Sequence, residues 1–156
     1  MPFNSNTNNR EVIIRPASKL NLYTLTVLTK RFFPYVDFST EEIKRRLEST
    51  NVKYLVAEFN RGIIGFADFE LKDNQCKLMG IAVLEEHRRN GVARKLAERI
   101  ILEAIKSNCI SVFLLVSEDN APAISLYDSL GFVSKGKSDK VLDGKPIIIM
   151  EKLLVN

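Results

Sequence analysis

The stretch His87-Arg88-Arg89-Asn90-Gly91-Val92-Ala93-Arg94-Lys95 decides the fold of this chain. An apolar run, 78–83, precedes it, and a segment with helical periodicity, 92–107, follows it. This order predicts a strand, a basic glycine-containing turn and a helix. Such a turn directs several backbone N–H groups at one point, at the positive end of the helix dipole, where an anion binds well. The expected ligand is therefore a polyanion, and a pyrophosphate fits best.

Four cationic residues, Arg88, Arg89, Arg94 and Lys95, crowd the start of this helix. Cations there oppose the macrodipole, so a merely structural turn explains them poorly. The turn fits neither the P-loop pattern nor the Gly-x-Gly-x-x-Gly dinucleotide fingerprint. A nucleic-acid surface is another interpretation, but no aromatic platform is interleaved with the cations. We therefore expect a phosphate site and no nucleic-acid partner.

Two motifs carry a resemblance to a known family. Arg88-x-x-Gly91-x-Ala93, after an Ile-x-Val strand end, resembles the acetyl-CoA signature (Gln/Arg)-x-x-Gly-x-(Gly/Ala) of the GNAT family of N-acetyltransferases. The segment from Asn120 to Phe132 resembles the family's later motif, Asn-x-x-Ala-x-x-x-Tyr-x-x-x-Gly-Phe. The resemblance implies acetyl-CoA as cosubstrate, no metal, and direct attack of a primary amine on the thioester in a ternary complex.

The predicted elements follow the order β-α-α-β-β-β-α-β-α-β-β. Short turns at 60–62 and 72–74 predict an antiparallel meander, and Asp143-Gly144 predicts a hairpin. Helices are expected at 20–31, 40–49, 92–107 and 121–129, and strands at 12–15, 53–59, 63–71, 75–83, 110–116, 132–134 onward and 145–154. The resemblance implies the GNAT fold, a mixed α/β architecture whose mostly antiparallel central sheet is flanked by helices. In it, the strands ending at Val83 and near Val116 run parallel and splay apart.

Composition is that of a globular chain, with 46% hydrophobic and 27% charged residues in 156 and a net charge of +4. Residues 1–10 are polar and predict a disordered tail, and 11–156 predict a single domain. No apolar run reaches the ~20 residues of a membrane helix, and no signal core is evident. Cys76 and Cys109 are expected as free, buried thiols. We expect a cytoplasmic monomer or homodimer without membrane contact.

The resemblance assigns roles around the cofactor residue by residue. Backbone groups of Ile81 and Val83 pair with pantetheine amides, and the thioester carbonyl lies near Ile81 and Ala82. The turn holds the pyrophosphate, and a Cβ at Gly91 would block close approach of the backbone. Asn120 is a good helix N-cap, and it also matches a cofactor contact of the family. The cofactor-binding set is Ile81, Ala82, Val83, Arg88, Arg89, Asn90, Gly91, Val92, Ala93, Arg94 and Asn120.

Tyr127 matches the family's general acid, since a phenol near the sulfur can protonate the departing thiolate. A general base is not evident. Where some protein N-terminal acetyltransferases carry Glu or His this chain has Leu115, and the strand start at 75–79 offers no base either. The other carboxylates considered, Glu58, Asp68, Glu70 and Glu118, are each interpreted as surface groups able to act only through water. His87, the single histidine, is expected to be exposed in the cofactor turn.

The aromatic segment 32–38 occupies the position that walls the acceptor site in relatives, with Phe33 and Tyr35 as substrate-binding residues. Its Phe-Pro pair before a capped helix resembles the protein N-terminal branch, so the acceptor expected is a protein or peptide N-terminal α-amine. Segment 135–143 lacks the paired tyrosines of that branch. A small amine or polyamine acceptor therefore stays open, and so does a catalytically weak acetyl-CoA-binding regulatory module.

Overall fold

The computed structural model describes residues 11–154, which contain one seven-stranded sheet and four α-helices; the tail expected at 1–10 lies outside them. The strands are β1 (Ile13–Pro16), β2 (Val52–Phe59), β3 (Gly62–Lys72), β4 (Gln75–Val83), β5 (Ser111–Ser117), β6 (Val133–Leu142) and β7 (Lys145–Leu153). The helices are α1 (Leu22–Phe32), α2 (Thr40–Glu48), α3 (Val92–Lys106) and α4 (Ala121–Ser129). The predicted order of elements and the mixed, mostly antiparallel sheet are confirmed.

The sheet order is β1-β2-β3-β4-β5-β7-β6, and all neighbours are antiparallel except β4 and β5. Those two pair only over four residues, from Gln75 opposite Ser111 to Leu78 opposite Leu114. Beyond that point β4 stays paired with β3 up to Val83, and β5 stays paired with β7 up to Ser117. The two parallel strands therefore splay apart, as expected, and leave a slot between 79–83 and 115–117.

Each face of the sheet carries its own core. On one face, α3 and α4 pack through residues such as Leu96, Ile100 and Tyr127. On the other, Leu25 of α1 and Ile43 of α2 cover a smaller cluster that includes Tyr54, Phe66 and Ala82. Side chains alternate along a strand, so successive residues of β4 contribute to opposite faces. The slot consequently opens toward both layers of helices.

The start of α1 differs from the expected Leu20. A 3-10 turn, Lys19–Asn21, comes first, and the Asn21 side chain accepts from the Ser18 N–H at 3.0 Å. The predicted apolar stripe is only partly buried, since Leu20 is 92% exposed while Leu25 is fully buried. The missed signal is Ser-x-x-Asn, in which side chains satisfy orphan N–H groups and fix the helix entry.

The sequence Ser39-Thr40-Glu41-Glu42 predicts a capping box at the start of α2. Its N-cap half is confirmed, because the Ser39 hydroxyl accepts from the Glu42 N–H at 3.1 Å. The reciprocal half of the predicted capping box does not form in the described chain, since the Glu42 carboxylate pairs with Arg45 instead. Arg46, the residue of α2 that follows Arg45, is directed at the sheet.

Residues 131–138 match the P-loop pattern Gly-x-x-x-x-Gly-Lys-Ser, a match that reasoning from the basic turn overlooks. They run from the end of α4 along β6, whereas a P-loop joins a strand to a following helix. The segment therefore makes no phosphate loop. The predicted hairpin at Asp143-Gly144 is confirmed, with φ values of 51° and 74°.

The structure bears directly on two expectations from composition, the state of the cysteines and the presence of a membrane helix. Cys76 and Cys109 are both free and buried, as expected. Between residues 11 and 154, none of the helices is long and apolar enough to cross a membrane.

Candidate active site

The turn between β4 and α3 has the backbone geometry of an anion site. Gly91 is the N-cap of α3 with a φ of 75°, and no side chain caps the helix. The first i to i−4 bond runs from the Lys95 N–H to the Gly91 carbonyl at 3.0 Å, so the N–H groups of 91–94 have no acceptor within the helix. A Cβ on Gly91 would meet nothing within 4 Å. Open space therefore lies beside these N–H groups, which is what a phosphate requires.

The four cations of the turn divide into two pairs. Arg88 folds back, donating from Nε to the Val83 carbonyl at 3.0 Å, and Arg94 pairs with Glu98 at 2.9 Å. Arg89 and Lys95 are exposed, and neither has an ion pair within residues 11–154. The mobile positive charge at the helix start thus comes mainly from Arg89 and Lys95.

The slot beside this turn is bordered by the predicted pantetheine-binding residues. Ala82 belongs to the core under α1 and α2, whereas Val83 belongs to the core under α3 and α4. Their side chains pack while the β5-facing side of their backbone has no strand partner. Arg88 already donates one hydrogen bond to the Val83 carbonyl, so this oxygen keeps one further lone pair for the expected pairing with pantetheine.

The later motif, 120–132, lies on the face of the sheet that α3 and α4 cover. Asn120 caps α4, its side-chain oxygen accepting from the Ala123 N–H at 3.3 Å, so its structural role is present and its cofactor role stays a prediction. Tyr127 is 7% exposed and packs edge-on against Phe132. Burial alone raises the pKa of Tyr127 to about 12, so the phenol holds its proton throughout the physiological range. A protonated phenol is the state that a general acid requires.

A cavity of about 180 Å³ lies on the opposite, α1 and α2 face of the sheet. Phe33 and Tyr35, both predicted to bind substrate, line it together with Phe38 and Phe66. The rings of Phe33 and Phe66 meet edge-on with centroids 6.0 Å apart. Its remaining lining residues are Thr29, Val36, Tyr54, Asp68, Lys77, Leu78, Met79, Gly80, Leu115, Leu142 and Ile147. The wall is therefore mainly apolar, with a few polar groups at defined places.

The prediction that Asp68 is a surface carboxylate is wrong. The residue is 8% exposed, lies in β3 and lines the cavity. Its Oδ2 accepts from Arg46 at 2.5 Å, which is a partly buried ion pair. Burial raises the pKa of Asp68 to about 6, although Arg46 and the backbone N–H groups of Asp68 and Gly80 act in the opposite direction. The carboxyl group thus titrates near neutral pH.

Besides Asp68, Arg46 contacts Tyr54, Phe38 and Met79, whose sulfur accepts from the guanidinium at 3.5 Å. Its Nε donates to the Tyr54 hydroxyl at 2.8 Å, and its guanidinium lies over the rings of Phe38 and Tyr54 at 4.8 and 5.5 Å. Burial raises the pKa of Tyr54 to about 12, so this phenol stays neutral beside the pair. The side chains of α2 and β2 consequently fix the position of the Asp68 carboxylate.

The other base candidates lie outside the cavity. Glu58 pairs with Arg15 at 3.6 Å and Glu118 with Lys137 at 3.4 Å. Leu115 lines the cavity, so the mid-strand position contributes an apolar residue to the wall. His87 is half-buried against the Phe59 ring at 5.5 Å, so its predicted full exposure is wrong. Within residues 11–154 there is no cluster of His, Cys, Asp and Glu suited to a metal ion.

A second, wider cleft of about 350 Å³ adjoins the cavity and shares Tyr35 and Leu142 with it. Asp119, Asp143 and Lys145 line this cleft, and Lys145 pairs with Asp119 at 3.0 Å. The pKa of Tyr35 is raised, first by burial and then by the charges of Asp143 and Asp68. Tyr35 therefore stands at the junction between the apolar cavity and a polar mouth. Thr29 lines the cavity, but its hydroxyl is buried out of contact with solvent and has no hydrogen-bond partner in the described residues.

Comparison with known proteins agrees with this geometry. The model of the acetyltransferase (GNAT) family matches residues 22–132. The [ribosomal protein bS18]-alanine N-acetyltransferase of Escherichia coli is 31% identical over 99 residues, which cover 56% of this chain and 67% of that protein.

Two solved structures are similar over nearly the whole chain. The crystal structure of the ribosomal-protein-S18-alanine N-acetyltransferase from Escherichia coli superposes with a TM-score of 0.80 at 25% identity, covering 94% of this chain and 96% of that one. The PaiA N-acetyltransferase from Thermoplasma acidophilum, solved in complex with coenzyme A, has a TM-score of 0.76 at 21% identity, covering 92% and 99%. The second likeness supports the fold alone. The chain therefore belongs to the acetyltransferase (GNAT) family, as an N-acetyltransferase that uses acetyl-CoA as its acyl donor.

Proposed function

We propose that this enzyme transfers the acetyl group to the N-terminal α-amine of a protein or peptide whose first side chain is apolar. The observation that carries the proposal is the aromatic cavity beside the slot, which contains a single buried carboxylate, Asp68. Its volume of about 180 Å³ equals that of about six water molecules, enough for one medium-sized side chain. The cavity lies on the face opposite Tyr127, so acceptor and donor would approach the slot from the two sides of the sheet.

The mouth of the cavity suits a chain that continues beyond its first residue. The adjoining cleft has polar walls and leads outward from Tyr35. A peptide N-terminus combines an amine, an apolar side chain and backbone amides, and so matches the three kinds of surface present.

The chemistry of the amine also favours this acceptor, since only the neutral form attacks a thioester. With a pKa of about 7.8, roughly one α-amine in seven is neutral at pH 7, whereas for lysine, near 10.4, the fraction is about one in 2,500. A polyamine fits less well because it carries several cations. Of the two carboxylates at the mouth, Asp119 is already neutralised by Lys145. The relative that acetylates a ribosomal-protein alanine is consistent with the α-amine proposal.

The test is a competition between two peptides in one reaction with acetyl-CoA. One has a free N-terminus with an apolar first residue and no lysine; the other has a blocked N-terminus and one lysine. Mass spectrometry should find the free N-terminus acetylated faster, with CoA release following the same rate. A matched peptide beginning with aspartate is the control for the apolar cavity and should react more slowly. Preferential acetylation of the blocked lysine peptide would refute the proposal.

A further inference from the structure

The carboxylate of Asp68 lies next to the predicted reaction centre. In the β3–β4 ladder Asp68 is opposite Gly80, and Ala67 is opposite Ile81, near which the thioester carbonyl is expected. Phe66 and Ala82 form the next opposed pair after Ala67 and Ile81, and both belong to the core under α1 and α2. Asp68 lines the cavity on that same face. It is the carboxylate in the described residues that lies both in the cavity and within one residue pair of the slot.

The two oxygens of this carboxylate have different surroundings. Oδ2 is bound by Arg46, which is itself fixed by Tyr54 and Phe38. Oδ1 lies 3.2 Å from the position that a Cβ on Gly80 would occupy, and Gly80 also lines the cavity. The absence of a side chain at Gly80 thus leaves Oδ1 in the cavity wall, while the ion pair prevents the carboxylate from turning away.

Each element packed against Asp68 contributes charged or titratable groups to its surroundings. Arg46 of α2 is the counter-ion, with Glu42 of the same helix acting on Tyr54. Tyr35 of the aromatic segment and Lys77 of β4 line the same cavity, and Asp143 acts on Tyr35 from the hairpin. Burial outweighs Arg46, so the carboxyl pKa is about 6, near which a base accepts protons efficiently at neutral pH.

We propose that Asp68 is the general base of the acetyl transfer, receiving on Oδ1 a proton from the acceptor ammonium bound in the cavity. The neutral amine then forms the N–C bond to the thioester carbon, and the C–S bond breaks. The second amine proton leaves with the thiolate as thiol, directly or through Tyr127, and Asp68 returns its proton to solvent through the mouth of the cavity. One ammonium and one acetyl-CoA thus yield amide, free thiol and one proton.

This inference rests on the proposed function only in that the acceptor is an amine bound in the cavity. The alternative role for Asp68 is a positioning one, as a mere counter-ion that keeps Arg46 and the cavity wall in place. The two roles differ in how the loss on Asp68→Asn depends on the acceptor. A base is needed only by an acceptor that arrives protonated, whereas a distorted cavity slows every acceptor alike.

The experiment measures kcat/KM at pH 7 for wild type and Asp68→Asn with two acceptors. For a peptide α-amine, of which roughly one in seven is neutral at pH 7, the expected loss is about sevenfold, and for a weakly basic hydrazide that carries the same side chain it is below about twofold. The loss with the α-amine should also shrink as pH rises toward the amine's own pKa. Glu58→Gln, which removes a paired carboxylate away from the cavity, is the matched control and should match wild type. Equal losses for both acceptors would overturn the proposal.

Asp68→Asn leaves Arg46 without its counter-ion, which could prevent folding. In that event Arg46→Lys is compared with the double variant Arg46→Lys, Asp68→Asn, because the single variant keeps a cation beside the carboxylate and a lysine left without its counter-ion can lose its proton. The same dependence on acceptor basicity is expected between them. A thermal shift with acetyl-CoA verifies that each variant retains the donor site. If lysine proves to be the preferred acceptor, the N-terminal proposal fails, yet the loss for Asp68→Asn is then measured on lysine and still tests the base.

Discussion

The donor side and the acceptor side of this enzyme are built in different ways. Apart from Asn120, the predicted donor side is one continuous stretch, 81–94, and it offers backbone groups at the end of β4 and the start of α3. The proposed acceptor side is a cavity of side chains from α1, the aromatic segment, β2, β3, β4, β5, β6 and β7. A backbone site needs glycine and small residues at fixed spacings, so it leaves a local motif. A cavity lined by side chains needs only compatible shapes, so it leaves no local motif in the sequence.

The two sides also differ in how they carry charge. At the donor turn the cations Arg89 and Lys95 are exposed and therefore screened by water and salt. At the acceptor cavity the charges of Arg46 and Asp68 are about nine-tenths buried, with side-chain exposures of 11% each. Water screens such a pair much less, and proton uptake there is strongly coupled to folding. The acceptor side should consequently be where pH acts on this protein.

The largest effect expected is on stability. The pKa of Asp68 is about 6 in the folded chain and about 3.9 when unfolded, so the folded state holds this proton more tightly. The contribution is fully present below pH 4 and is lost as pH rises through 6, at about 3 kcal/mol of unfolding free energy. Urea unfolding of wild type and Asp68→Asn between pH 4 and 8 measures it. Wild type should lose stability relative to the variant across this window, and a constant difference would contradict the buried, titrating carboxylate.

The next effect tests the donor side alone. Acetyl-CoA at a hundredfold excess over its Kd should stabilise the wild type by about 2.7 kcal/mol, visible as a rise in Tm. Gly91→Glu should abolish the rise, because it fills the open space beside the N–H groups and repels the pyrophosphate. Gly144→Glu is the matched control, since Gly144 has a φ of 74° and is also free of neighbours within 4 Å. A Tm of the wild type unaffected by millimolar acetyl-CoA would refute the donor site.

The smallest effect concerns the acid. Tyr127→Phe should lower kcat at least about tenfold, or about 1.4 kcal/mol, and leave the acetyl-CoA thermal shift nearly unchanged, because a general acid acts only in the transition state. The substitution removes one hydroxyl and keeps the ring packed against Phe132. Phe132→Leu controls for that packing and should affect Tm more than kcat. Equal turnover in Tyr127→Phe and wild type would mean that water protonates the thiolate.

The contrast between the two sides explains what the sequence could predict. The helix 92–106, predicted over 92–107, and the hairpin at 143–144 follow local patterns, whereas the splayed strands were expected from the resemblance to the family. Asp68 was misinterpreted because a charged residue within a strand usually faces water, and its partner Arg46 lies 22 residues earlier in another element. A usable signal exists in Gly65-Phe66-Ala67-Asp68-Phe69, where one carboxylate interrupts an otherwise apolar run. The first helix was predicted to begin at Leu20 because periodicity alone does not reveal the 3-10 turn ahead of α1.

The splay between β4 and β5 gives the sheet two edges in its interior, where most sheets have edges only at their rims. An exposed strand edge ordinarily tends to pair with a strand of another chain. Here the strands are joined at Leu78 and Leu114 and diverge from that point, so the opening is a wedge closed at one end. A further strand needs about 4.8 Å on each side along its whole length, which the apex of a wedge does not provide. The shape therefore excludes other polypeptides from these edges while admitting a thin linear molecule that carries its own amides.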